Sequence, residues 1–254
     1  MNKQAPLLEM KGIVKDFGGL RAVDDVDLVL NSGEVLGLVG ENAAGKSTLI
    51  KILTGVYSKT AGEIYWEGQR VEINSRADSL KLGVDAIYQN LGLVETLNVP
   101  ENLFLGKELT KKLLGITILD NRKMAQESRR FIKETVGLNI AKFWERIINL
   151  SGGQRQAVAI ARAIYWDARL VIMDEPTASL GVEEIRKTFK IVNNLKKNNT
   201  AVLFICHNLE HVFEVADKIM VMRTGKRVGF MDIKDADKQQ IVSLMVGLDA
   251  TVAS

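Results

Sequence analysis

The stretch GENAAGKST, residues 40–48, restricts the fold more than any other part of the chain. Gly40, Gly45, Lys46 and Ser47 meet the spacing G-x-x-x-x-G-K-[ST]. An apolar run, EVLGLVG (34–40), precedes it and a helical pattern, STLIKILTG (47–55), follows. Glycines let backbone N–H groups close around phosphate oxygens, and a helix N-terminus adds partial positive charge. Gly40, Glu41, Asn42, Ala43, Ala44, Gly45, Lys46, Ser47 and Thr48 are therefore expected to wrap the phosphates of a nucleotide. Lys46 would reach the β- and γ-phosphates, and the Ser47 hydroxyl would be a Mg²⁺ ligand. The bland alternative is a glycine turn joining a strand to a helix.

Three short runs are apolar at nearly every position: EVLGLVG, RLVIMDEP (169–176) and AVLFICH (201–207). Such runs suit parallel strands covered by helices on both faces. The opening reads as antiparallel β, with LLEMKGIVKDF, then AVDDVDLVLNSGEVLGLVG turning at Asn31–Gly33, then GEIYWEG. From about Glu101 to Ile164 the pattern is helical, with RKMAQESRRFIKETVGL the clearest amphipathic stretch. It reads as a helical lobe between the phosphate-loop strand and the next core strand. A hairpin around Thr224–Lys226 and a helix in DADKQQIVSLMVG close the chain. The expected class is α/β.

The 254 residues are 46% hydrophobic and 26% charged, ordinary globular composition, and the net charge is only +3. With basic residues scattered, nucleic acid is not expected as a partner. No apolar run approaches the ~18–20 residues that span a bilayer, and the start lacks a signal-peptide core. A single cysteine, Cys206, excludes an internal disulfide. Ending an apolar run, it reads as a small buried hydrophobe, with a reactive thiol as the alternative.

Asp174 and Glu175 end the run LVIMDE. Asp174 could hold Mg²⁺ through water and Glu175 could take a proton from the attacking water. The alternative is that both favour a helix start before PTASLGVEEI. Upstream stands LSGGQRQ (150–156), opening the helical QAVAIARAI. Alone, SGG would be a linker or a cap. Together with the phosphate loop and the Asp-Glu pair, the chain resembles the ATP-binding cassette of ABC transporters over nearly its full length.

The resemblance implies a phosphate-loop NTPase core with a parallel sheet, an antiparallel β subdomain and an inserted helical subdomain. It implies one cassette over 1–254, the core from 1–94 and 166–254, and a helical lobe over 95–165 carrying the signature. Ser151, Gly152, Gly153 and Gln154 would serve the ATP of a second subunit, giving a head-to-tail pair with two ATPs. That pair is either a homodimer or this chain beside a second cassette. Gln89 matches the glutamine that contacts Mg²⁺ and senses the γ-phosphate, and the segment after it faces a transmembrane permease. Phe17 matches the aromatic that stacks on adenine, although a core Phe at a strand end is the alternative. His207 matches the histidine that touches the γ-phosphate, and ASLG (178–181) the loop across the dimer interface.

The chain departs from the family at Ala43, where glycine is usual. If that position needs positive φ, alanine costs about 1 kcal/mol. It departs also at Gly181, where many cassettes carry Asp, and at Cys206 in place of Ser. HNLEH (207–211) fits a zinc-peptidase spacing, H-x-x-E-H. With only two histidines and no third ligand set, His211 reads instead as a helix-surface residue. INSRADSLKLGVDAIYQNLGLVETLNVPENLFLGKEL and the ending GFMDI…IVSLMVG look most like cassettes of bacterial ribose, xylose and galactose importers. The implied function is an ATP-hydrolysing, energy-coupling subunit on the cytoplasmic face of the membrane, with an extracytoplasmic substrate-binding protein in the same system. A cassette for another substrate such as an amino acid, or a non-transport ATPase acting on DNA or ribosomes, is the alternative. A kinase or GTPase reading lacks a guanine-reading N-K-x-D, and an inactive fold conflicts with Lys46, Asp174, Glu175 and His207 all being present.

Overall fold

The computed structural model describes residues 5–88, 91–137, 140, 143–178 and 180–248. Its centre is a six-stranded sheet whose β3 (Val35–Val39) leads into the phosphate loop and α1 (Lys46–Leu53). The opening strands β1 (Leu8–Phe17) and β2 (Leu20–Leu30) pair antiparallel and join β4 (Ala61–Trp66) and β5 (Gln69–Val71) in a separate sheet, ordered β2-β1-β4-β5. The chain changes sheet at the Asn31–Gly33 turn, so β2 and β3 are not partners. That corrects the single antiparallel unit expected across 22–40.

After α2 (Arg76–Lys81) comes a strand the sequence pattern concealed, β6 (Val84–Ile87). It pairs parallel with β9 (Leu170–Asp174). The lobe therefore follows β6 rather than β3. Only Val84 and Ile87 of β6 are fully buried, and Asp85 interrupts the apolar run that marks the other core strands. The lobe holds α3 (Val99–Leu103), α4 (Asn121–Phe131) with a π-helical turn at Ile132–Val136, and α5 (Gly152–Tyr165). It is not wholly helical: β7 (Thr110–Leu113) and β8 (Ile116–Leu119) form a hairpin within it.

The core closes with α6 (Val182–Lys197), β10 (Ala201–Ile205), α7 (Leu209–Val215) and the hairpin β11 (Lys218–Arg223) and β12 (Lys226–Asp232), then α8 (Lys238–Val246). The sheet order is β12-β11-β3-β10-β9-β6, with β11, β3, β10, β9 and β6 parallel and β12 antiparallel at the edge. The expected hairpin turn at Thr224–Gly225 is present, with both residues at positive φ, as a tight right-twisted connection requires.

Strand alternation explains why these runs are apolar throughout. Val35 and Val39 of β3, with Val171, Met173, Val202 and Phe204, pack in one core with helices α5, α6 and α7. Leu36 and Leu38, with Ile172, Leu203 and Ile205, pack in a second core against α1 and the antiparallel sheet. Fully burying each such side chain stabilises by about 1.5–3 kcal/mol. Both faces of the sheet are thus committed to packing, and only the carboxyl ends of β3, β9 and β10 are left for chemistry. In open α/β sheets that edge is where ligands bind.

Candidate functional site

The loop between β3 and α1 is shaped by close packing. A Cβ at Gly40 (φ +152) would lie 2.2 Å from the Met222 carbonyl oxygen, and one at Gly45 (φ +101) 2.7 Å from that of Ala22. Both positions admit only glycine. Ala43 has φ 65, so the condition set by the missing glycine is met and the alanine is strained. Ser47 and Thr48 lie in the first turn of α1, whose leading N–H groups have no acidic side chain over them. The Lys46 Nζ donates to the carbonyls of Gly40 at 2.6 Å and Glu41 at 2.8 Å. The cation is folded back onto its own loop. Burial holds its pKa below the usual lysine value, against the pull of Glu175 and Asp174.

Those carboxylates come from the end of β9. The Asp174 carboxyl is pushed above the usual range first by burial and then by the Glu175 charge, with Lys46 opposing. Two neighbouring carboxylates with too little compensating charge are oxygen donors of the kind a hard divalent cation takes. Neither residue caps a helix, since α6 begins only at Val182, so that alternative is removed. Glu175 has φ 54, an uncommon conformation for a non-glycine residue, and its N–H donates to the Ile205 carbonyl at 2.9 Å. Its Oε2 lies 2.7 Å from Nδ1 of His207, which follows β10. Parallel pairing of β9 and β10 puts Asp174 beside Ile205 and so brings together two residues far apart in sequence.

Phe17 ends β1 and is 39% exposed, so it is not a core residue. Its ring stands edge-on to Tyr57 with centroids 5.1 Å apart, and the Lys15 ammonium is 4.9 Å from its centroid. No motif in the sequence points to Tyr57, 40 positions on, as the neighbour of this ring. Gln89, and Ser179 of the loop 178–181, lie outside the described residues.

Ser151 is the N-cap of α5. Its hydroxyl accepts from the Gln154 N–H at 3.3 Å, and the Gln154 side chain accepts from the Ser151 N–H at 3.0 Å. SGG is thus a helix start and not a linker, and the capping box explains Ser and Gln at this spacing. Gly152 and Gly153 are the first residues of α5. A cleft of about 310 Å³ opens beside this helix start, lined by Gly152, Arg155, Gln156, Asp174, Glu175 and Ala178 among others.

His211 needs correction. It is not a surface residue of α7: Nδ1 is 3.0 Å from the Thr177 hydroxyl and the ring meets Phe189 edge-on at 5.5 Å. Burial, and then the neighbouring His207, lowers its pKa. His207 precedes α7 and turns to Glu175, so the two histidines do not converge as the zinc spacing would need. Among the described residues, Glu175, Cys206 and His207 are one group of metal-ligand types whose ligand atoms lie within 4.8 Å of one another. Cys206 is fully buried and its thiol is pushed up by burial, which disfavours the thiolate a metal would need. The small-hydrophobe reading of Cys206 holds.

A lysine-bearing loop, an Asp-Glu strand end, a histidine on that glutamate and a capped SGGQ helix stand on one chain. The ABC transporter family model matches residues 23–178, well over half of it. The chain belongs to the ABC transporter family. Its relatives include the xylose/arabinose import ATP-binding protein of Sulfolobus acidocaldarius, 41% identical over 94% of this chain and 93% of that protein. A ribose import ATP-binding protein of Agrobacterium fabrum is 45% identical over 98% of this chain but 48% of its own length, so the chain spans about half of that relative. A crystal structure of an ATP-binding cassette of an ABC transporter in its ADP conformation superposes with TM-score 0.80 at 28% identity, covering 95% of this chain and 99% of the other. This cassette has the phosphate-loop NTPase fold of ABC ATPases, as expected, and is an ATP-binding ATPase of that family. No helix among its described residues is long and apolar enough to cross a membrane.

Proposed function

We propose that this cassette is the energy-coupling ATPase of an importer for a monosaccharide. The single observation that carries the hydrolytic reading is the 2.7 Å contact between Glu175 and His207 beside the carboxyl end of β9. Lys46 leaves the Gly40 and Glu41 carbonyls for the β- and γ-phosphates, and Phe17, with Tyr57 against its edge, offers a ring for adenine to stack on. Glu175 accepts the proton of the attacking water as its oxygen bonds to the γ-phosphorus and the bond to the ADP oxygen breaks. His207, donating from Nδ1, would hold the Glu175 carboxylate in place, leaving Nε2 for a phosphate oxygen. Ser47 and Asp174, with Gln89, would hold Mg²⁺, which supplies charge neutralisation across the phosphates.

The SGGQ helix start of one chain meets the ATP on the phosphate loop of another, in a homodimer or with a second cassette. The pair works on the cytoplasmic face of the membrane against a permease reached by the segment after Gln89, with an extracytoplasmic sugar-binding protein upstream. The sugar reading is supported by relatives named for xylose/arabinose and ribose import. Purification of the chain from its native membranes, with identification of what accompanies it by mass spectrometry, tests this. A polytopic permease and a neighbouring sugar-binding protein are expected; ribosomal or DNA-associated partners without a permease would sink the importer reading.

A further inference from the structure

The start of α5 is held from outside its own helix. Glu184, one turn into α6, spreads its carboxylate over two backbone groups: Oε1 accepts from the Gly153 N–H and Oε2 from the Gly181 N–H, both at 3.2 Å. These two bonds hold its pKa below the usual carboxylate value, Gly181 contributing most and then Gly153. Gly153 lies in the first turn of α5, 31 residues away in sequence, whereas Gly181 is the N-cap of α6 at the end of the loop 178–181. Gly181 has no side chain to accept from the first-turn N–H groups of α6, and the link at this cap runs the other way, from the Gly181 N–H to the Glu184 carboxylate.

Shape agrees with the hydrogen bonds. A Cβ at Gly153 would stand 3.0 Å from Cγ of Glu184, and one at Gly152 would touch Leu180 Cδ2 at 3.4 Å. Glu184 fits against α5 because residue 153 is glycine. One turn deeper, Gln156 is buried, its Nε2 donating to the Pro176 carbonyl at 2.7 Å while its Oε1 accepts from Thr188 at 3.2 Å. That inner layer fixes the body of α5 to α6 and to the segment after Glu175. The outer layer, Glu184, governs only the first turn of α5 and the entry to α6.

We propose that Glu184 is a positioning residue that fastens the SGGQ helix start to the interface loop of the same chain, so that both reach the partner's ATP as one body. This rests on the head-to-tail ATP sandwich proposed above. The nucleotide on the chain's own phosphate loop is bound elsewhere, so removing Glu184 leaves that binding alone. What changes is the geometry offered across the interface.

The test uses the full chain carrying Glu175→Gln, so that ATP is retained, with ATP-dependent dimerisation followed by light scattering. Adding Glu184→Ala is expected to weaken the ATP-bound dimer by ~10-fold or more, since small misplacements of a binding group are costly. Nucleotide affinity of the monomer, titrated with ADP, stays unchanged. Glu184→Gln keeps one of the two acceptor contacts and is expected to restore dimerisation to within about threefold of the parent. In the chain with native Glu175, Glu184→Ala lowers kcat and leaves ADP affinity unaltered. An equally tight dimer in Glu184→Ala overturns the inference. So does a tighter dimer in either variant, which would make Glu184 a competitor of the phosphate. If the Glu175→Gln parent itself stays monomeric with ATP, the sandwich falls and this inference with it.

Discussion

Replacing Glu175 by Gln separates catalysis from stability. If Glu175 takes the proton from water, its loss slows turnover by ~10²–10⁴-fold, equivalent to about 3–6 kcal/mol on the barrier at about 1.4 kcal/mol per decade. The structural cost is far smaller. The contact with His207 is near the surface, the histidine side chain being 74% exposed, and such rim contacts contribute about 0–1 kcal/mol. Glutamine has the same length, still offers Oε1 to Nδ1–H, and inherits the same φ of 54 and the same N–H bond to Ile205. The melting temperature is therefore expected to move by no more than about 2–4 °C for a chain of this size. Phosphate release at saturating ATP and Mg²⁺, equilibrium ATP titration and a thermal melt, all on one preparation, measure the three quantities. Turnover within threefold of the parent at equal ATP affinity would show that Glu175 is not the proton acceptor. A large fall in melting temperature would instead mean that the half-buried end of β9 relies on the charge.

Three further outcomes follow from the site. Lys46→Ala removes the cation meant for the phosphates and should weaken ATP by ~100-fold or more, at about 1.5–3 kcal/mol per charge-assisted bond; unchanged affinity in a titration refutes the phosphate-loop reading. Ala43→Gly relieves about 1–2 kcal/mol of left-handed strain at an exposed position and loses about 0.5–1 kcal/mol to glycine's unfolded-state freedom. The melting temperature should rise by roughly 1–3 °C, and a fall refutes the strain. Asp174→Asn reads the pH dependence without nucleotide. Because the folded carboxyl holds its proton to higher pH than the unfolded one, its contribution falls as pH rises from the unfolded pKa, near 3.8, through the raised folded value. The variant should lose that decline and be the more stable at neutral pH; an unchanged pH–stability curve refutes the perturbation.

Much of the site was legible because its signals are local. The phosphate loop needs glycines, lysine and serine within a few residues, and a capping box is written in four consecutive positions, Ser151–Gln154. Runs apolar on both faces identified β3, β9 and β10, because a sheet covered by helices leaves no polar face. The same criterion missed β6, where Asp85 stands in a strand of only four residues, and it passed over the β7–β8 hairpin inside the helical lobe. The helix-surface reading of His211 failed for a related reason: periodicity places it on α7 but does not reveal that Thr177 and Phe189 arrive from other elements.

The sequence by itself determined the class of fold, the glycine-bearing loop between β3 and α1 and the residue types at the strand ends, since each depends on neighbours a few positions away. The tertiary structure alone decided which strands pair, that Glu175 meets His207, that Phe17 lies open beside Tyr57, and that Glu184 closes on Gly153. Those contacts depend on the register of parallel strands and on the packing of α5 against α6, which bring together groups whose chemistry carries no record of its distant partner.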